Sequence, residues 1–440
     1  MKNDKSKPTF RVLILAVALC VVLSTSIYAQ TEVTETIKIE AAINPAGTVE
    51  FINNSFDTKI KTWTNDYVEL QMAVKLEGDK EDVDLTLKAL RGLCFSGSDM
   101  SRSINTKFWE SITSNGFNHK MRLENGDKVT LKKYSVENTL FIPKTISIKI
   151  DNKYSDIEME DIAGKAEFNI YSGKLWCGSI GGAIRLDVKY SKATMSNIPE
   201  ATMKVYDSDI QMKNCGNFEI GSKYSTIQIE KAGNMKFDSY DDDFKIGQLG
   251  SINGTAKYTD FDFGPSMSLT FDLYDCDLAM GETGEVKGQS KYSEFTGKKT
   301  GKFVVNSSYD DTWTFDELES FDCLESKYSD FNFGSINNGL SIISYDDNLT
   351  VNRFSAGFTG IKLESKYSEF IFTIPASVAY GLKAETKYGR LDFPEDQFVK
   401  KIYIKENESV NLEGHSKNGS NNTTNKIEIK SYDSNITIRN

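Results

Sequence analysis

The chain has 440 residues, with 52 Lys and Arg against 63 Asp and Glu and a formal net charge of −11. This acidic balance argues against a nucleic-acid partner, which needs a basic surface. Only two histidines are present, His119 and His415, and they lie far apart in polar sequence. Their scarcity excludes most Ser-His-Asp, Cys-His and histidine-metal sites.

The N-terminal segment has the order of a secretory signal peptide. Basic residues precede an apolar run, VLILAVALCVVLSTSIYA, that ends at the small residue Ala29. We therefore expect residues 1–29 to be removed and the rest to be exported to the periplasm, the outer surface or the extracellular medium. An uncleaved membrane anchor is the alternative. Cys20 does not fit a lipidation site, because Leu19 precedes it, and no second apolar stretch is long enough to cross a bilayer.

Residues 48–77 alternate apolar and polar residues, and residues 30–78 are therefore predicted to form N-terminal strands that open a β-stack. Residues 79–133 break this pattern and are predicted to be an insertion or a cap, since an uncovered first coil would leave an open sheet edge. Within them, KEDVDLTLKAL fits either a short helix or another strand, with one apolar face in each case: Val83, Leu87 and Leu90 for the helix, or Val83, Leu85 and Leu87 for the strand.

Residues 134–412 carry an internal repeat marked by two interleaved series of tyrosines. In the first series Lys-Tyr precedes a small residue, and in the second series Tyr precedes Asp, or Ser at Tyr171. The first series comprises Tyr154, Tyr190, Tyr224, Tyr258, Tyr292, Tyr328, Tyr367 and Tyr388. The second comprises Tyr171, Tyr206, Tyr240, Tyr274, Tyr309 and Tyr345, with Tyr432 as a later member.

Strands flank each tyrosine. Apolar residues stand three and five places after a first-series tyrosine, as Ile227 and Ile229 do, and four and six places after a second-series tyrosine, as Phe244 and Ile246 do. Spacing by two predicts strands with one buried face. Repeated strand-turn units without helical periodicity predict an all-β fold, a parallel β-solenoid (single-stranded β-helix) with right-handed coils.

The length of one coil is predicted from stacking. The two series differ by one residue between tyrosine and strand, which suggests corners of two lengths. Corners of unequal length cannot lie flush, so we expect a coil of about 34–36 residues built from two half-units of about 17, rather than a coil of about 17. The tyrosines would form a column beside a column of lysines, whose charges are offset by acids three residues later, as Asp156 follows Lys153.

The C-terminal part ends the repeat in polar sequence. Residues 413–426, EGHSKNGSNNTTNK, predict a flexible loop. Residues 427–440, IEIKSYDSNITIRN, are predicted to be closing strands.

Several segments resemble a known family: VEFINNSFDTKIKTW, FIPKTISIKIDNKYSDIEMEDIAGKAEFNIYSGKL and NKIEIKSYDSNITI. Together they resemble the "putative adhesin" family of unknown function, exported repeat proteins of Bacteroidetes-type bacteria. In that family the tyrosine corner usually reads Lys-Tyr-Gly-Asp. Here Ser mostly replaces Gly, and only Tyr388-Gly389 keeps it. The resemblance spans most of residues 48–440 and implies a β-solenoid exposed at the cell envelope, with no catalytic residues to transfer.

Acidic clusters recur in the second series: Asp241 to Asp243, Asp275 and Asp277, Asp310 and Asp311, and Asp346 and Asp347. Stacked oxygen ligands of this kind could hold Ca²⁺. The glycine-rich nonapeptide of calcium-binding rolls is absent, however, so a solvated acidic corner is favoured. No metal site and no cofactor are predicted.

Catalysis on polysaccharides needs paired carboxylates in a cleft. The carboxylates here recur with the repeat, so no catalytic residue is predicted and the chain is predicted not to be an enzyme. Glycans could also stack on exposed aromatic rings, for which the candidates are Trp63, Trp109, Trp176 and Trp313. Trp176 has the outward phase of its strand. An incidental surface position is still favoured over a binding platform.

Five cysteines follow the predicted signal peptide: Cys94, Cys177, Cys215, Cys276 and Cys323. An odd number without CxxC spacing predicts neither a disulfide framework nor a zinc site. Small buried apolar residues are favoured, although export would allow one or two bridges.

Together these features predict a non-enzymatic β-solenoid of the cell envelope or secreted fraction that acts as an adhesin-like or scaffold surface protein. Its partner is not identified; glycans and envelope or extracellular surface proteins are the classes considered. The alternative is a carbohydrate-active or glycan-binding β-helix protein. A pocket lined by non-repeating carboxylates would favour the alternative, and a surface of repeating residues would favour the scaffold.

Overall fold

The computed structural model describes residues 30–440. Along most of this length, apolar and polar residues alternate with a period of two, and the chain forms β-strands. The apolar side chains point into one elongated core, and the strands of successive coils pair in parallel. The predicted fold class, a parallel β-solenoid, is confirmed. The predicted signal peptide, residues 1–29, lies outside the described residues, and the handedness of the coils stays a prediction.

Residues 30–143 form the first coil and an N-terminal cap. Their elements are β1 (Gln30–Ala42), β2 (Thr48–Asn54), β3 (Thr58–Trp63), β4 (Tyr67–Asp79), α1 (Lys80–Arg91), β5 (Ser96–Ser98), β6 (Ser101–Asn105), β7 (Trp109–Ser114), β8 (His119–Leu123) and β9 (Lys128–Pro143). β2 and β3 form the first coil. β9 pairs in parallel with β3, and β4 and then β1 extend this sheet in antiparallel fashion.

The segment KEDVDLTLKAL, compatible with a helix or a strand, forms most of α1. The helix is favoured because Val83, Leu87 and Leu90 fall on one helical face and are all buried. This face packs on β1, β4 and β9. The helix therefore belongs to the cap that covers the start of the core.

The regular coils run from residue 147 to residue 392. Each coil has one strand before a corner and one after it, and in some coils the later strand continues into the next coil. The strands are β10 (Ser147–Lys153), β11 (Ile157–Met159), β12 (Ala166–Tyr171), β13 (Lys174–Cys177), β14 (Ile184–Lys189), β15 (Lys192–Tyr206), β16 (Asp209–Lys223), β17 (Thr226–Ala232), β18 (Met235–Tyr240), β19 (Asp243–Ile246), β20 (Ser251–Lys257), β21 (Asp260–Phe263), β22 (Ser266–Tyr274), β23 (Asp277–Met280), β24 (Thr283–Lys291), β25 (Glu294–Tyr309), β26 (Thr312–Lys327), β27 (Asp330–Tyr345), β28 (Asn348–Phe354), β29 (Gly360–Lys366), β30 (Glu369–Thr373), β31 (Gly381–Lys387) and β32 (Leu391–Asp392).

The predicted coil length of about 34–36 residues is wrong. Ile148 pairs with Ala166, which is 18 residues later, and Ile184 pairs with Ala201, which is 17 residues later. One coil is therefore a single half-unit of the prediction, and the longer period is a sequence repeat made of two stacked coils.

The error came from the assumption that the two tyrosine series mark corners of different length. Each corner contains one residue in the left-handed backbone conformation. In the first series this residue is the tyrosine itself, as at Tyr154 with φ 60°. In the second series it is the residue after the tyrosine, as at Ser172 with φ 53°. Counted from that residue, the first buried apolar side chain stands three places later in both series, at Ile157 and Leu175. The two corners have equal length and lie flush.

The C-terminal part departs from sequence order. A short 3₁₀ helix (Glu395–Gln397) is followed by β33 (Phe398–Glu406), β34 (Ser409–Ser416), β35 (Lys426–Tyr432) and β36 (Asn435–Arg439). β35 pairs in parallel with both β29 and β31, so it lies between them, and β36 lies in the same way between β30 and β32. The last coil of the chain is thus inserted into the stack.

Two predictions for this region need correction. Residues 427–440 do not close the stack, because β34 and then β33 extend it beyond β31 in antiparallel fashion. Residues 413–416 do not belong to a loop, because they are part of β34: residues 413–415 pair with β31, and Ser416 pairs with β33. Turns and short irregular backbone occupy residues 417–425.

Candidate interaction surface

A continuous column of tyrosine rings follows the corners along the whole stack. We call it the tyrosine column; in spatial order it comprises Tyr154, Tyr171, Tyr190, Tyr206, Tyr224, Tyr240, Tyr258, Tyr274, Tyr292, Tyr309, Tyr328, Tyr345, Tyr367, Tyr432 and Tyr388. Neighbouring ring centroids are 5.3 to 5.9 Å apart and the ring planes cross at 73 to 86°. This edge-to-face geometry stabilises each pair by about 0.5–1.5 kcal/mol beyond burial.

The column joins both tyrosine series, whereas a coil of the predicted length, about 34–36 residues, would have stacked each series on itself. Tyr171 pairs in register with Lys153 and Lys189 of the adjacent coils, not with their tyrosines. The rings still meet because the first-series tyrosine adopts the left-handed conformation, which re-aims its ring over the neighbouring coil. That conformation costs a non-glycine residue about 1–2 kcal/mol, so ring stacking offsets a local backbone cost.

The lysines before the first-series tyrosines are two coils apart, about 10 Å, because a tyrosine of the second series stands between them in register. We predicted that these lysines form ion pairs with acids three residues later in the chain. The ion pairs that the structure shows at these lysines do not have this spacing, so the prediction is wrong for them. They join Lys153 to Asp151, Lys189 to Asp187 and Lys327 to Glu325, in each case two residues earlier. The later acid lies beyond the corner on the other sheet. Lys223 and Lys257 also approach the rings of Tyr240 and Tyr274, at 5.8 and 6.0 Å from the centroids.

Three buried aspartates under the tyrosine column, Asp242, Asp311 and Asp347, hold the corners from inside, a role that was not predicted from the sequence. The Asp311 carboxylate accepts hydrogen bonds from the Ser290 and Ser308 hydroxyls, both at 2.7 Å, and from the backbone N–H groups of Ser293 and Tyr309. Asp242 and Asp347 occupy the same position in their coils and are also buried. The signal in the sequence is Ser-Tyr-Asp-Asp, which occurs where this buried aspartate is present.

Burial of these carboxylates raises their pKa, although the hydrogen bonds that they accept lower it in part. The pKa of Asp347 is raised to about 6, mainly by removal from water. The pKa of Asp242 and of Asp311 is raised for the same reason. These acids are structural parts of the corner.

The recurring acidic clusters, which were considered as calcium ligands and interpreted as solvated corners, do not form a metal site. In the cluster of three, Asp241 is exposed at the left-handed position, Asp242 is buried and bonded to serines, and Asp243 belongs to the following strand. Successive clusters are also two coils apart. In residues 30–440 no three His, Cys, Asp or Glu side chains are arranged to hold a metal ion.

A separate acidic row lies on the sheet that follows the corner. Asp243, Asp260, Asp277 and Glu294 pair in register in four successive coils. The pKa of Asp260 is raised, first by partial burial and then by the charges of Asp277 and Asp243. This row gives one face of the solenoid a local negative charge.

Of the four tryptophans, only Trp176 is well exposed, at 41%. This confirms the outward phase predicted from its strand. Trp313 is fully buried and stacks on Phe295 with the ring centroids 3.8 Å apart, and Trp109 is buried against Phe56. Trp63 packs on Tyr67 and Phe141.

Trp176 borders a polar groove of about 500 Å³ between the first coils and the N-terminal cap. The groove is also lined by Lys59, Gln71, Glu137 and Glu158. Lys59, Glu158 and Trp176 lie side by side in register on three adjacent strands. Unlike the tyrosine column, this set of side chains occurs once in the described chain.

A second groove of about 800 Å³ lies at the C-terminal end, where the hairpin of β33 and β34 extends the sheet. Three exposed apolar side chains line it: Leu324, Ile343 and Ile404. It includes part of the non-repeating segment 394–426 of the sequence.

The cysteines form no disulfide in residues 30–440. Cys177, Cys215, Cys276 and Cys323 are buried, as predicted, and Cys94 is exposed. Burial raises the pKa of the Cys177 and Cys215 thiols to about 12. Among the described residues, the helices are too short or too polar to span a bilayer.

Comparisons with known proteins give little further information. Neither a family model nor a curated protein matches the chain. A solved structure that is matched is a "putative cell adhesion protein" from Clostridium sporogenes, at 9% sequence identity and a TM-score of 0.17, covering 92% of this chain and 99% of the other. Similarity at this level carries no argument about fold or function, and the resemblance to the Bacteroidetes-type family stays a prediction.

Proposed function

We propose that this protein is exported to the cell envelope or the medium and acts without catalysis, as an adhesin-like or scaffold surface protein. The observation that carries the proposal is the tyrosine column, which presents repeated aromatic rings along the full stack. Thirteen of its fifteen tyrosines are between 36% and 59% exposed.

An ordered row of tyrosines is suited to broad contact with a partner. Tyrosine combines a large apolar ring with a hydroxyl group and is enriched in interfaces. Each ring is already held by its neighbours, so little side-chain freedom remains to be lost on binding. Lysines and aspartates alternate beside the rings, which adds polar contacts at a regular spacing. Repetition allows many weak contacts to act together.

The test is a glycan and extracellular-matrix array probed with the chain purified from exporting cells. We expect retention by at least one surface polymer or protein. A triple variant, Tyr206→Thr, Tyr274→Thr and Tyr345→Thr, should reduce retention at least tenfold, because these three second-series rings are exposed and their residues lie in strands, outside the left-handed position of the corner.

The matched control changes three side chains on the other sheet, Gln228→Ala, Thr314→Ala and Asn332→Ala, which are all exposed. This control should bind like the unaltered protein. Equal binding by both triple variants would contradict a role for the tyrosine column.

The second candidate function, a glycan-binding or carbohydrate-active β-helix, is favoured by the groove at Trp176. An indole face beside carboxylate and amide side chains can contact both the apolar and the hydroxyl-bearing surfaces of a sugar. Trp176→Ala should then abolish retention on glycans while leaving retention on proteins unchanged. Release of shortened glycan from the array would indicate an enzyme and overturn the first proposal.

A further inference from the structure

Both ends of the described stack finish in a strand that pairs on one side only. At the N-terminal end β1 pairs with β4, and at the C-terminal end β33 pairs with β34. Within residues 30–440 neither strand has a partner along its other edge. The caps shield the apolar core from water, but they leave backbone N–H and C=O groups of these two strands free to pair with another strand.

The strand β33 is unusually exposed for this protein. Every residue after Phe398 in this strand is exposed, whereas strands of the regular coils alternate between buried and exposed positions. Four of the exposed residues are apolar, between 37% and 48% exposed: Val399, Ile402, Tyr403 and Ile404. Addition of a neighbouring strand would cover part of this surface.

The two edges carry opposite charges. β1 contains three acids and one lysine, a net charge of −2: Glu32, Glu35, Glu40 and Lys38. β33 contains three lysines and one acid, a net charge of +2: Lys400, Lys401, Lys405 and Glu406. Several of these side chains form ion pairs within their own end, but in the described part of the chain neither Glu40 nor Lys405 does.

The charges of β1 and β33 favour some strand pairings between two copies of the protein over others. Lysines on an edge strand repel a second basic edge, which disfavours a symmetric dimer through two copies of β33. The same lysines are attracted to the acidic β1 edge. A contact between β33 of one copy and β1 of the next uses different surfaces on each copy and leaves both outer ends free to repeat it.

We propose that the protein assembles head to tail, through pairing of β33 of one copy with β1 of another, into open chains of solenoids. The partner is a second copy of this chain. The assembly goes beyond the surface role proposed above, because it depends on the two ends and not on the tyrosine column or the Trp176 groove.

The test uses the full chain as exported and compares two charge-reversed variants. The basic-edge variant carries Lys401→Glu and Lys405→Glu, and the acidic-edge variant carries Glu32→Lys and Glu40→Lys. Sedimentation velocity and electron microscopy over a range of protein concentrations at low salt should show concentration-dependent linear oligomers for the unaltered protein. Each variant alone should associate at least tenfold more weakly, because both of its ends then carry the same sign of charge.

An equal mixture of the two variants should restore assembly, because each basic end then meets an acidic one. Hydrogen exchange should show slower exchange of β1 and β33 amides on assembly, and circular dichroism should show that both variants remain folded. A protein that stays monomeric at all concentrations, a closed dimer, or a mixture that associates no better than its components would overturn the proposal.

Discussion

The middle of the solenoid and its C-terminal end use the same two corner types, but the chain supplies them differently. From Tyr154 to Tyr345 the first-series and second-series corners alternate in sequence order. At the C-terminal end two first-series tyrosines, Tyr367 and Tyr388, follow each other, and the second-series Tyr432 is inserted between their coils. The comparison shows that alternation of the corners in space is preserved even where the order of the chain is not.

The physical reason is that a ring at the left-handed position and a ring at the strand position fit each other edge to face. Two first-series corners on adjacent coils would place tyrosine against tyrosine and lysine against lysine in the same register, with like charges about 4.8 Å apart. The inserted coil avoids this conflict. We therefore expect the last fifteen residues to matter more for the C-terminal end than an equal length elsewhere.

Deletion of residues 426–440 should have the largest effect, because it removes the inserted coil and leaves β31 and β32 without their parallel partners. We expect hydrogen exchange in β31 and β34 to approach that of unfolded chain. The control deletes residues 241–274, two complete coils in the middle, which joins Tyr240 to Asp275 in phase. The backbone amides of that shorter solenoid should stay protected from hydrogen exchange along its whole length. A similar loss of protection in both deletion variants would contradict the idea that the two corner types must alternate in space.

Trp313→Ala tests the core of the middle coils. The indole is fully buried on Phe295 and its Nε1 donates a hydrogen bond to the Ser308 hydroxyl at 3.0 Å. The substitution should lower the free energy of unfolding by about 3–5 kcal/mol, measured by denaturant titration. Trp176→Ala, at an exposed position, serves as the control and should cost about 0.5 kcal/mol or less. Equal losses would show that the ends and not the core limit stability.

The buried corner acids predict a pH dependence. The pKa of the Asp347 carboxyl is raised to about 6 in the folded protein from an ordinary value of 3.8. At pH values between 3.8 and 6 the folded state therefore binds more protons than the unfolded state. The free energy of unfolding should therefore fall as pH rises from about 4 to about 6, by about 3 kcal/mol from this group, and stay level above. Thermal unfolding of the unaltered protein against Asp347→Asn would show the difference, and Asp346→Asn at the exposed neighbour should leave the pH profile unchanged.

The smallest expected effect separates the two corner types. Tyr258→Asn and Tyr274→Asn each remove one ring from the column, but only Tyr258 has a left-handed backbone, with φ 58°. Asparagine tolerates this conformation better than tyrosine, so we expect Tyr258→Asn to cost about 1 kcal/mol less than Tyr274→Asn. Denaturant titration of both variants in parallel measures the difference. A larger loss at Tyr258 would show that stacking outweighs backbone strain.

The local predictions were the most accurate because period-two alternation is visible in single strands. The buried phase of residues such as Ile227 and Ile229 and the outward phase of Trp176 both follow from which face of a strand a residue occupies. The insertion of Tyr432 also left a signal, since no second-series tyrosine stands between Tyr367 and Tyr388. The coil length was wrong because the left-handed residue shifts from Tyr154 to Ser172, and backbone conformation of that kind is not written in residue type.

The sequence by itself determined a parallel β-stack with a tyrosine at each corner of the regular coils, because these features are visible within a few residues of the chain. Only the tertiary structure decided how many residues make one coil, which coil Tyr432 enters, and that β1 and β33 become the two edges. Those features depend on which strands pair over long separations in the chain, and strand pairing is chosen by the fit of whole coils on one another.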